Sequence, residues 1–202
     1  MTLPSGAATR PNIEDVRRRL ERTAEIYRAL ARDSASLLVE VGEAIVACSR
    51  AGGTVYLFGN GGSAADSQHI ACELVGRFLF ERPAIRAVAL TTDTSKLTAI
   101  ANDYGYEAVF SRQLEAFAGP SDVAIGISTS GRSPNVVQGL RVAAERGAVT
   151  VALTGANPRD VGAAARFVVA VPSPETPRIQ EAHIAIGHFL CEYLETSLFG
   201  AA

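Results

Sequence analysis

Histidine and carboxylate residues are the side chains in this sequence best suited to proton transfer or metal binding. The chain of 202 residues contains three histidines, His69, His183 and His188. Glu73 follows His69 by four residues, so a helix places the imidazole and the carboxylate on one face, and Asp66 shares that face. Such a pair can bind a metal ion or act as a base beside its orienting partner, but on its own it is also typical of a surface hydrogen bond.

The other two histidines lie in one amphipathic segment near the end of the chain. His183 and His188 are five residues apart, so they do not share a helix face and at most one is expected in a site. Gln180 precedes His188 by eight residues at nearly the same azimuth, so both reach one centre only if the glutamine is extended. Each histidine alone is also typical of a satisfied core or interface residue, and the spacing does not choose between them.

Two loops rich in small and hydroxyl residues follow short apolar runs. The first is Gly59-Asn60-Gly61-Gly62-Ser63 and the second is Ser128-Thr129-Ser130-Gly131-Arg132-Ser133-Pro134. Ser133 and Pro134 have the order of a helix N-cap and N1, so a helix N-terminus points at the second loop. Hydroxyl groups, backbone amides and the positive end of a helix predict a site for a phosphate monoester. The absence of a Walker motif from the sequence argues against a nucleoside triphosphate.

Short apolar runs alternating with longer amphipathic segments predict the elements that position these residues. Helices are expected near 12–32, 36–49, 63–80, 95–117, 133–147, 157–165 and 178–198. Strands are expected at Thr54–Phe58, Ile85–Leu90, Asp122–Ile127, Val149–Leu153 and Phe167–Val171. This alternation predicts an α/β fold with a five-stranded, parallel, doubly wound sheet and two N-terminal helices packed outside it. With the common strand order 2-1-3-4-5, the two polar loops meet where the order reverses, and such sheets bind ligands there.

Length and composition indicate a single domain, expected over residues 12–202 with a helical extension at 12–50, after a disordered tail at 1–11. Hydrophobic residues make up 48% of the chain, and 19 basic against 21 acidic side chains give a net charge of −2. Because this balance offers no excess positive charge, no nucleic-acid partner is expected. No apolar run approaches the ~18 residues of a membrane span, so no membrane association is expected. A missing signal-peptide pattern and three unpatterned cysteines predict a cytoplasmic location.

Four segments of the sequence together resemble the phosphoheptose isomerase family, the sedoheptulose 7-phosphate isomerases of the SIS (sugar isomerase) domain superfamily. They are GNGGSAADSQHIACELVGRF at 59–78, LTAIANDYGYE at 97–107, ISTSGRSPNV at 127–136 and RIQEAHIAIGH at 178–188. The serine loop alone indicates only an SIS domain, whereas the H-x-x-x-E helix combined with the terminal glutamine–histidine spacing is far more specific. The resemblance covers nearly the whole chain from residue 12. It implies a flavodoxin-like SIS fold and a homotetramer with active sites at subunit interfaces.

The resemblance also implies a role for each candidate residue. It implies one zinc ion per subunit, held by His69, Glu73, Gln180 and His188, and thereby selects His188 over His183. The implied substrate-binding residues are Asn60, Gly61, Gly62, Ser63, Asn102, Asp103, Ser128, Thr129, Ser130, Ser133 and Gln180. Within this set, Ser63 and the four hydroxyl residues of the second loop would hold the phosphate.

The implied reaction converts the ketose sedoheptulose 7-phosphate to the aldose D-glycero-D-manno-heptose 7-phosphate, the first step toward ADP- or GDP-heptose precursors. A base removes the C1 proton to give an enediol, and protonation at C2 gives the aldose; Glu73 is the expected base and His188 its acid–base partner. Because a carboxylate bound to zinc is a weak base, Asp66 is the alternative base. Two other functions stay open: an isomerase of a related sugar phosphate such as octulose 8-phosphate, and a non-catalytic SIS adaptor that associates with the replication initiator. An adaptor has no reason to retain Glu73 and His188.

Overall fold

A computed structural model describes residues 10–200, which form eight α-helices, one 3-10 turn and five β-strands. The helices α1 to α8 are Ile13–Asp33, Ala35–Arg50, Gly62–Val75, Thr94–Tyr104, Ser111–Phe117, Pro134–Glu145, Arg159–Ala163 and Thr176–Phe199, and the 3-10 turn is Tyr106–Ala108. The strands β1 to β5 are Val55–Gly59, Ala87–Ala89, Val123–Ser128, Val149–Thr154 and Phe167–Ala170.

The five strands form one parallel sheet in the order β2-β1-β3-β4-β5. This confirms the predicted doubly wound α/β fold and its strand order. Every residue of β1 and β3 is buried, as expected for strands covered by helices on both faces. The strand order reverses between β1 and β3, so the loops that follow these two strands lie at the switch point of the sheet.

Helices cover both faces of the sheet and form two hydrophobic cores. On one face, α1, α2, α3 and α8 pack against strand residues that include Leu57 and Ile125. On the other face, α4 to α7 pack against Phe58 and Ala124, with Leu140 of α6 fully buried. Alternate residues of each strand therefore enter opposite cores, and each large apolar side chain buried there contributes about 1.5–3 kcal/mol. Helices α3 and α8, which carry the histidines, lie side by side on the first face.

The start of α1 agrees with the sequence pattern. Asn12 is the N-cap, and its side-chain oxygen accepts a hydrogen bond of 3.0 Å from the backbone N–H of Asp15. The Asp15 carboxylate in turn accepts one from the N–H of Asn12, so two helix-terminal donors are satisfied. The exposed side of α1 carries Ile13, Val16 and Leu20, spaced by three and four residues.

Two predicted helices are wrong in their extent. The helix expected at 63–80 ends at Val75, because the chain turns at Gly76 into a loop whose Arg82 donates hydrogen bonds to carbonyl groups of the last helical turn. The helix expected at 95–117 is divided into α4, the 3-10 turn and α5. The division occurs at Gly105, where φ is +88°, a backbone conformation that ends α4. The strands begin or end within about two residues of their predicted limits.

The terminal residues bear on two further predictions. The expected disordered tail at 1–11 lies almost wholly outside the described residues, as do residues 201 and 202, and the domain limits of 12–202 stay a prediction. Between residues 10 and 200, no helix combines the length and the apolar character needed to cross a lipid bilayer.

Candidate active site at the carboxyl edge of the sheet

The two polar loops start side by side at the carboxyl edge of the sheet. β1 and β3 are paired up to Gly59 and Ile127, so the chain leaves both strands at the same level. Helix α3 begins at Gly62 after the first loop, and α6 begins at Pro134 after the second. Two helix N-termini therefore open onto one region, where their backbone N–H groups favour an anion.

Serine hydroxyl groups line the loop between β3 and α6. The Oγ atom of Ser128 lies 2.9 Å from that of Ser133 and 3.4 Å from that of Ser130. Ser130 Oγ also accepts a hydrogen bond of 3.2 Å from the backbone N–H of Arg132. Although Ser133 is the N-cap of α6, its side chain makes no capping hydrogen bond and is engaged by the loop instead. The three hydroxyl groups converge in a way that suits phosphate oxygens.

The shape of this serine loop depends on Gly131. Its φ is +66°, and a Cβ atom there would lie 2.4 Å from the carbonyl oxygen of Asn157 and 2.6 Å from that of Pro158. The N–H of Gly131 donates to the carbonyl of Ser128, and its own carbonyl accepts from the N–H of Val161. Glycine is therefore required for the loop to pack against the segment that follows β4.

Asn60 joins the first loop to the start of α6. The side-chain amides of Asn60 and Asn135 exchange two hydrogen bonds of 2.9 Å, and Asn135 is almost fully buried. The hydroxyl of Tyr106 donates to the Asn60 side-chain oxygen at 3.1 Å. The sequence pattern does not identify Asn135 or Tyr106 as functional residues. For Asn135, the only sequence signal is its position as a polar residue directly after Pro134, the first residue of α6. Asn135 and Tyr106 hold the Asn60 amide in a defined orientation.

Gln180 brings the start of α8 to the first loop. A Cβ atom at Gly62 would lie only 2.2 Å from Nε2 of Gln180, so a glycine is needed for the amide to lie against the first turn of α3. The next residue, Ser63, is almost fully buried. The structure therefore places the predicted residues Gly62, Ser63 and Gln180 together at the N-terminus of α3.

The imidazoles of His69 and His188 meet between α3 and α8. Their Nε2 atoms are 3.0 Å apart, and Oε1 of Glu73 lies 3.4 Å from Nε2 of His69. The side chain of His69 is 46% exposed and that of Glu73 26% exposed, so the cluster is accessible to a substrate. Two imidazole nitrogens and a carboxylate oxygen therefore lie close together where α3 and α8 are in contact.

Phe78 packs on this cluster and is not selected by the sequence pattern. Its ring stacks on the imidazole of His188, with centroids 5.4 Å apart and planes inclined by 28°. Phe78 lies in the loop that follows α3 and is partly buried. The contact restricts the orientation of the His188 ring.

Asp66 lies one turn before His69 on α3. Its Oδ2 atom is buried and has no hydrogen-bond partner in the part of the chain that the structure describes. Burial raises the pKa of Asp66, and the neighbouring His69 opposes this rise. A carboxylate with a raised pKa is a stronger base, so Asp66 remains a candidate for proton transfer.

His183 lies in the core and not in the cluster. It is fully buried, and its Nε2 atom is 3.1 Å from the carbonyl oxygen of Thr154. Burial lowers the pKa of His183 to about 4, so its imidazole is neutral at pH 7. The structure thus separates the two histidines between which the spacing did not choose.

Asn102 and Asp103 are not hydrogen-bonded through their side chains to the two loops in the described part of the chain. They are exposed in the last turn of α4, where the Asn102 amide donates to the Asp103 carboxylate at 2.8 Å. Within residues 10–200, no side-chain hydrogen bond links either residue to Asn60 or to the serine loop. Their expected role in substrate binding stays a prediction.

The donor chemistry of the histidine cluster fits zinc, although its geometry is formed only in part. Two imidazole nitrogens 3.0 Å apart, with a carboxylate oxygen 3.4 Å from one of them, have spacings close to those of ligands around one tetrahedral zinc ion. The arrangement is incomplete as a metal site, because among residues 10–200 no group of three His, Cys, Asp or Glu side chains is arranged to hold a metal. The fourth expected ligand, Gln180 of α8, lies against Gly62 at the start of α3 and not beside His69.

A separate cleft of about 750 Å³ lies at the opposite edge of the sheet, between α2 and the amino ends of β3 to β5. Its carboxylate Asp122 is already used, because it accepts hydrogen bonds from the backbone N–H groups of Thr54 and Gly119. Parallel sheets bind ligands at the carboxyl ends of their strands, so the candidate site is assigned to the loops and not to this cleft.

Comparison of the sequence with known protein families finds one matching family model and closely similar relatives. The family model described as SIS domain matches residues 20–155. A phosphoheptose isomerase of Aquifex aeolicus (strain VF5) is 52% identical over 183 residues, which cover 91% of this chain and 96% of that protein. A phosphoheptose isomerase of Roseiflexus sp. (strain RS-1) is 47% identical over 199 residues and covers 98% of this chain and 99% of its own length.

Solved structures agree with the sequence relatives. The phosphoheptose isomerase from Neisseria gonorrhoeae superposes with a TM-score of 0.85 at 39% identity, covering 91% of this chain and 98% of that chain. A phosphoheptose isomerase from Francisella tularensis superposes with a TM-score of 0.88 at 29% identity, covering 93% and 100%. The similarity therefore extends over nearly the full length of these proteins.

Proposed function

The chain belongs to the phosphoheptose isomerase family of SIS-domain proteins, as its sequence segments predicted, and from this premise we propose that it isomerises sedoheptulose 7-phosphate to D-glycero-D-manno-heptose 7-phosphate. This aldose–ketose isomerisation is the step that would supply the precursors of ADP- or GDP-heptose. The observation that carries the proposal is the meeting of His69 and Glu73, on the helix α3 that begins at the anion-binding loops, with His188 of the neighbouring helix α8.

The two parts of the site are separated by a distance that suits a phosphorylated sugar. His69 in the cluster follows Gly62 at the loops by seven positions of α3, which corresponds to about 10 Å along the helix axis. With its phosphate on the hydroxyls of Ser63, Ser128 and Ser133, an extended seven-carbon chain reaches the histidine cluster with its C1 end. The serine loop then supplies affinity, and the cluster supplies the chemistry.

Proton transfer is assigned to side chains of the cluster. Glu73 removes the C1 proton of the open-chain ketose to give the enediol, and a proton returned to C2 gives the aldose. His188 assists by moving a proton between the O1 and O2 atoms, and the Phe78 ring keeps its imidazole in place. Asp66, with its raised pKa, is the alternative base if Glu73 is committed to another partner.

Zinc is part of this proposal, with His69, Glu73, Gln180 and His188 as the residues that would hold it. When bound, zinc would supply Lewis-acid polarisation of the sugar carbonyl. The two facing imidazole nitrogens support this assignment, because neutral imidazole is a common zinc ligand. The side chains of Glu73 and Gln180 would have to move closer to the two imidazole nitrogens before all four residues could bind one ion.

We further propose a homotetramer with active sites at subunit interfaces. Ile13, Val16 and Leu20 form an apolar stripe on α1, with 75%, 52% and 66% of their surfaces exposed. Such a stripe at helical spacing is typical of a helix that packs against a partner, and a second copy of this chain presents the same self-complementary surface. The histidine cluster lies near solvent, where a neighbouring subunit can complete it.

A cytoplasmic location is also proposed. Cys48, Cys72 and Cys191 are free thiols. Burial raises the pKa of the Cys48 thiol to about 11 and that of Cys191 to about 12, so both behave as unreactive apolar residues. This cysteine usage suits a reducing compartment.

The proposed activity is tested by incubating the purified protein with sedoheptulose 7-phosphate and following the aldose product by NMR. We expect turnover that is lost with a chelator and restored by zinc. Turnover that persists in the presence of the chelator would support the isomerase activity and contradict the proposed role of zinc. No aldose from sedoheptulose 7-phosphate, but product from octulose 8-phosphate, would assign the related substrate; no product from either would favour the adaptor.

A further inference from the structure

A fully buried ion pair lies beside the last turn of α3, the helix that carries His69 and Glu73. Arg82, in the loop after α3, and Glu195, near the end of α8, form a contact of 2.9 Å between Nε and Oε1. Their side chains are 1% and 0% exposed. A charged pair removed this completely from water is costly, and its interaction energy often does not repay that cost. Stability alone therefore does not explain why these two charges are buried here.

Arg82 caps the end of the helix that carries His69 and Glu73. One guanidinium nitrogen donates to the carbonyl of Leu74 at 2.7 Å and to that of Gly76 at 3.0 Å, and the other donates to the carbonyl of Glu73 at 2.7 Å. The last carbonyls of a helix lack donors within the helix, so a cation placed there satisfies them. The backbone that sets the Glu73 side chain is thus held by Arg82.

Glu195 holds the loop that carries Phe78. Its carboxylate accepts hydrogen bonds from the backbone N–H groups of Phe78 at 2.7 Å and Leu79 at 2.8 Å. Burial alone would raise the pKa of Glu195, but these donors and the guanidinium lower it, so the carboxylate is charged at neutral pH. Glu195 lies seven residues after His188, on the same side of α8, and the Phe78 ring that it positions stacks on His188.

The pair therefore connects to both sides of the candidate site. Through Arg82 it reaches the backbone of Glu73, and through Glu195 and Phe78 it reaches the imidazole of His188. Each connection is a short hydrogen bond or a ring contact. Groups that orient reacting side chains in this way typically change activity by about 10- to 100-fold when they are removed.

We propose that the Arg82–Glu195 pair is a positioning device that fixes the Glu73 backbone and, through Phe78, the His188 ring relative to each other. The proposal rests on the isomerase function proposed above. Neither residue touches the substrate; both act through their contacts with the loop after α3 and with the last turn of that helix. Loss of the pair should loosen the His188 ring and lower the turnover number.

The test separates positioning from stability by removing both charges together. Either single substitution, Arg82→Met or Glu195→Leu, leaves an unpaired buried charge and should lower the melting temperature strongly. The double variant Arg82→Met/Glu195→Leu removes both charges and should recover most of that loss. The control is Arg112→Gln/Glu115→Gln, which removes an exposed ion pair of 2.7 Å on α5.

Two readouts are then compared in the folded double variant. The order parameter of the His188 ring, from side-chain NMR relaxation, should fall below the wild-type value. The turnover number for sedoheptulose 7-phosphate should fall about 10- to 100-fold while KM changes by less than about threefold, because the serine loop is untouched. The control double variant should match the wild type in both.

The ring-order measurement decides the proposal even if the wild type does not isomerise this sugar, so failure of the proposed function is recognised separately. A folded double variant with a wild-type His188 order parameter overturns the proposal, whatever its activity. If the double variant does not fold, Phe78→Leu is measured instead, since it leaves the ion pair intact. It should show the same loss of His188 order, and an unchanged order parameter would again overturn the proposal.

Discussion

Acid should destabilise this protein through His183, a residue outside the candidate site. The Nε2 atom of His183 lies 3.1 Å from the carbonyl oxygen of Thr154, so Nε2 carries the hydrogen and donates it. Nδ1 is then the atom that accepts a proton in acid, and it has no partner among residues 10–200. Protonation would create a buried cation whose Nδ1–H has no acceptor among these residues, which explains why burial lowers the pKa to about 4.

The size of the effect follows from the two pKa values. In the unfolded chain the imidazole has the ordinary value of 6.5, and in the folded protein about 4. The unfolded state therefore binds the proton more readily, so stability is fully present above pH 6.5 and is lost as the pH falls toward 4. At about 1.4 kcal/mol per pH unit, the loss is about 2 kcal/mol at pH 5 and about 3 kcal/mol below pH 4.

Urea unfolding of the wild type and of His183→Gln, at several pH values from 7.5 to 4.5, measures this contribution. Glutamine can still donate to Thr154 but does not titrate in this range. Between pH 7.5 and 5, the free energy of unfolding of the wild type should fall by about 2 kcal/mol more than that of the variant. Comparing the two proteins cancels the other titrating groups. Parallel curves would refute the assigned cause.

Three further substitutions test the site and the assembly. Glu73→Gln should lower kcat by about 10²- to 10⁴-fold and abolish exchange of the C1 proton with deuterium oxide. Calorimetry should show that the variant still binds a sugar-alcohol phosphate, and normal proton exchange would exclude Glu73 as the base. Gly131→Ala should destabilise the fold by about 1–3 kcal/mol, because the added Cβ atom would lie 2.4 Å from the carbonyl oxygen of Asn157. It should also raise KM more than it lowers kcat, and an unchanged KM would show that this loop does not bind the phosphate. Leu20→Glu should reduce the molar mass in light scattering below that of a tetramer, whereas Glu25→Lys on the opposite side of α1 should not; equal masses would place the interface elsewhere.

Hydrophobic periodicity and loop chemistry were sufficient to predict the sheet. Strands as apolar as Val55–Gly59 and Val123–Ser128 must be buried on both faces, which requires helices on both sides and parallel crossovers. The limits of α3 were not predictable, because the helix end depends on Arg82, a residue seven positions beyond Val75. Hydrophobic periodicity also does not reveal that Gly105 has a positive φ, which divides the helix predicted at 95–117.

For the site, residue spacing along one helix was informative, and contacts between helices were not. The four-residue spacing of His69 and Glu73 predicted a shared face, whereas the choice of His188 over His183 needed the family resemblance. Burial of His183 against Thr154 becomes visible only once α8 is packed on the sheet. Asn135 and Phe78 act through a reciprocal amide pair and a ring contact across 75 and 110 positions of sequence, which no local pattern encodes.

A crystal structure of Glu73→Gln with sedoheptulose 7-phosphate bound tests the central claim most directly, because this variant should hold the ketose without converting it. The account predicts the phosphate on the hydroxyls of Ser128 and Ser133, and C1 and C2 within about 3–4 Å of the residue 73 side chain and the His188 ring. A phosphate on the serine loop with its sugar carbons directed away from both side chains would contradict it.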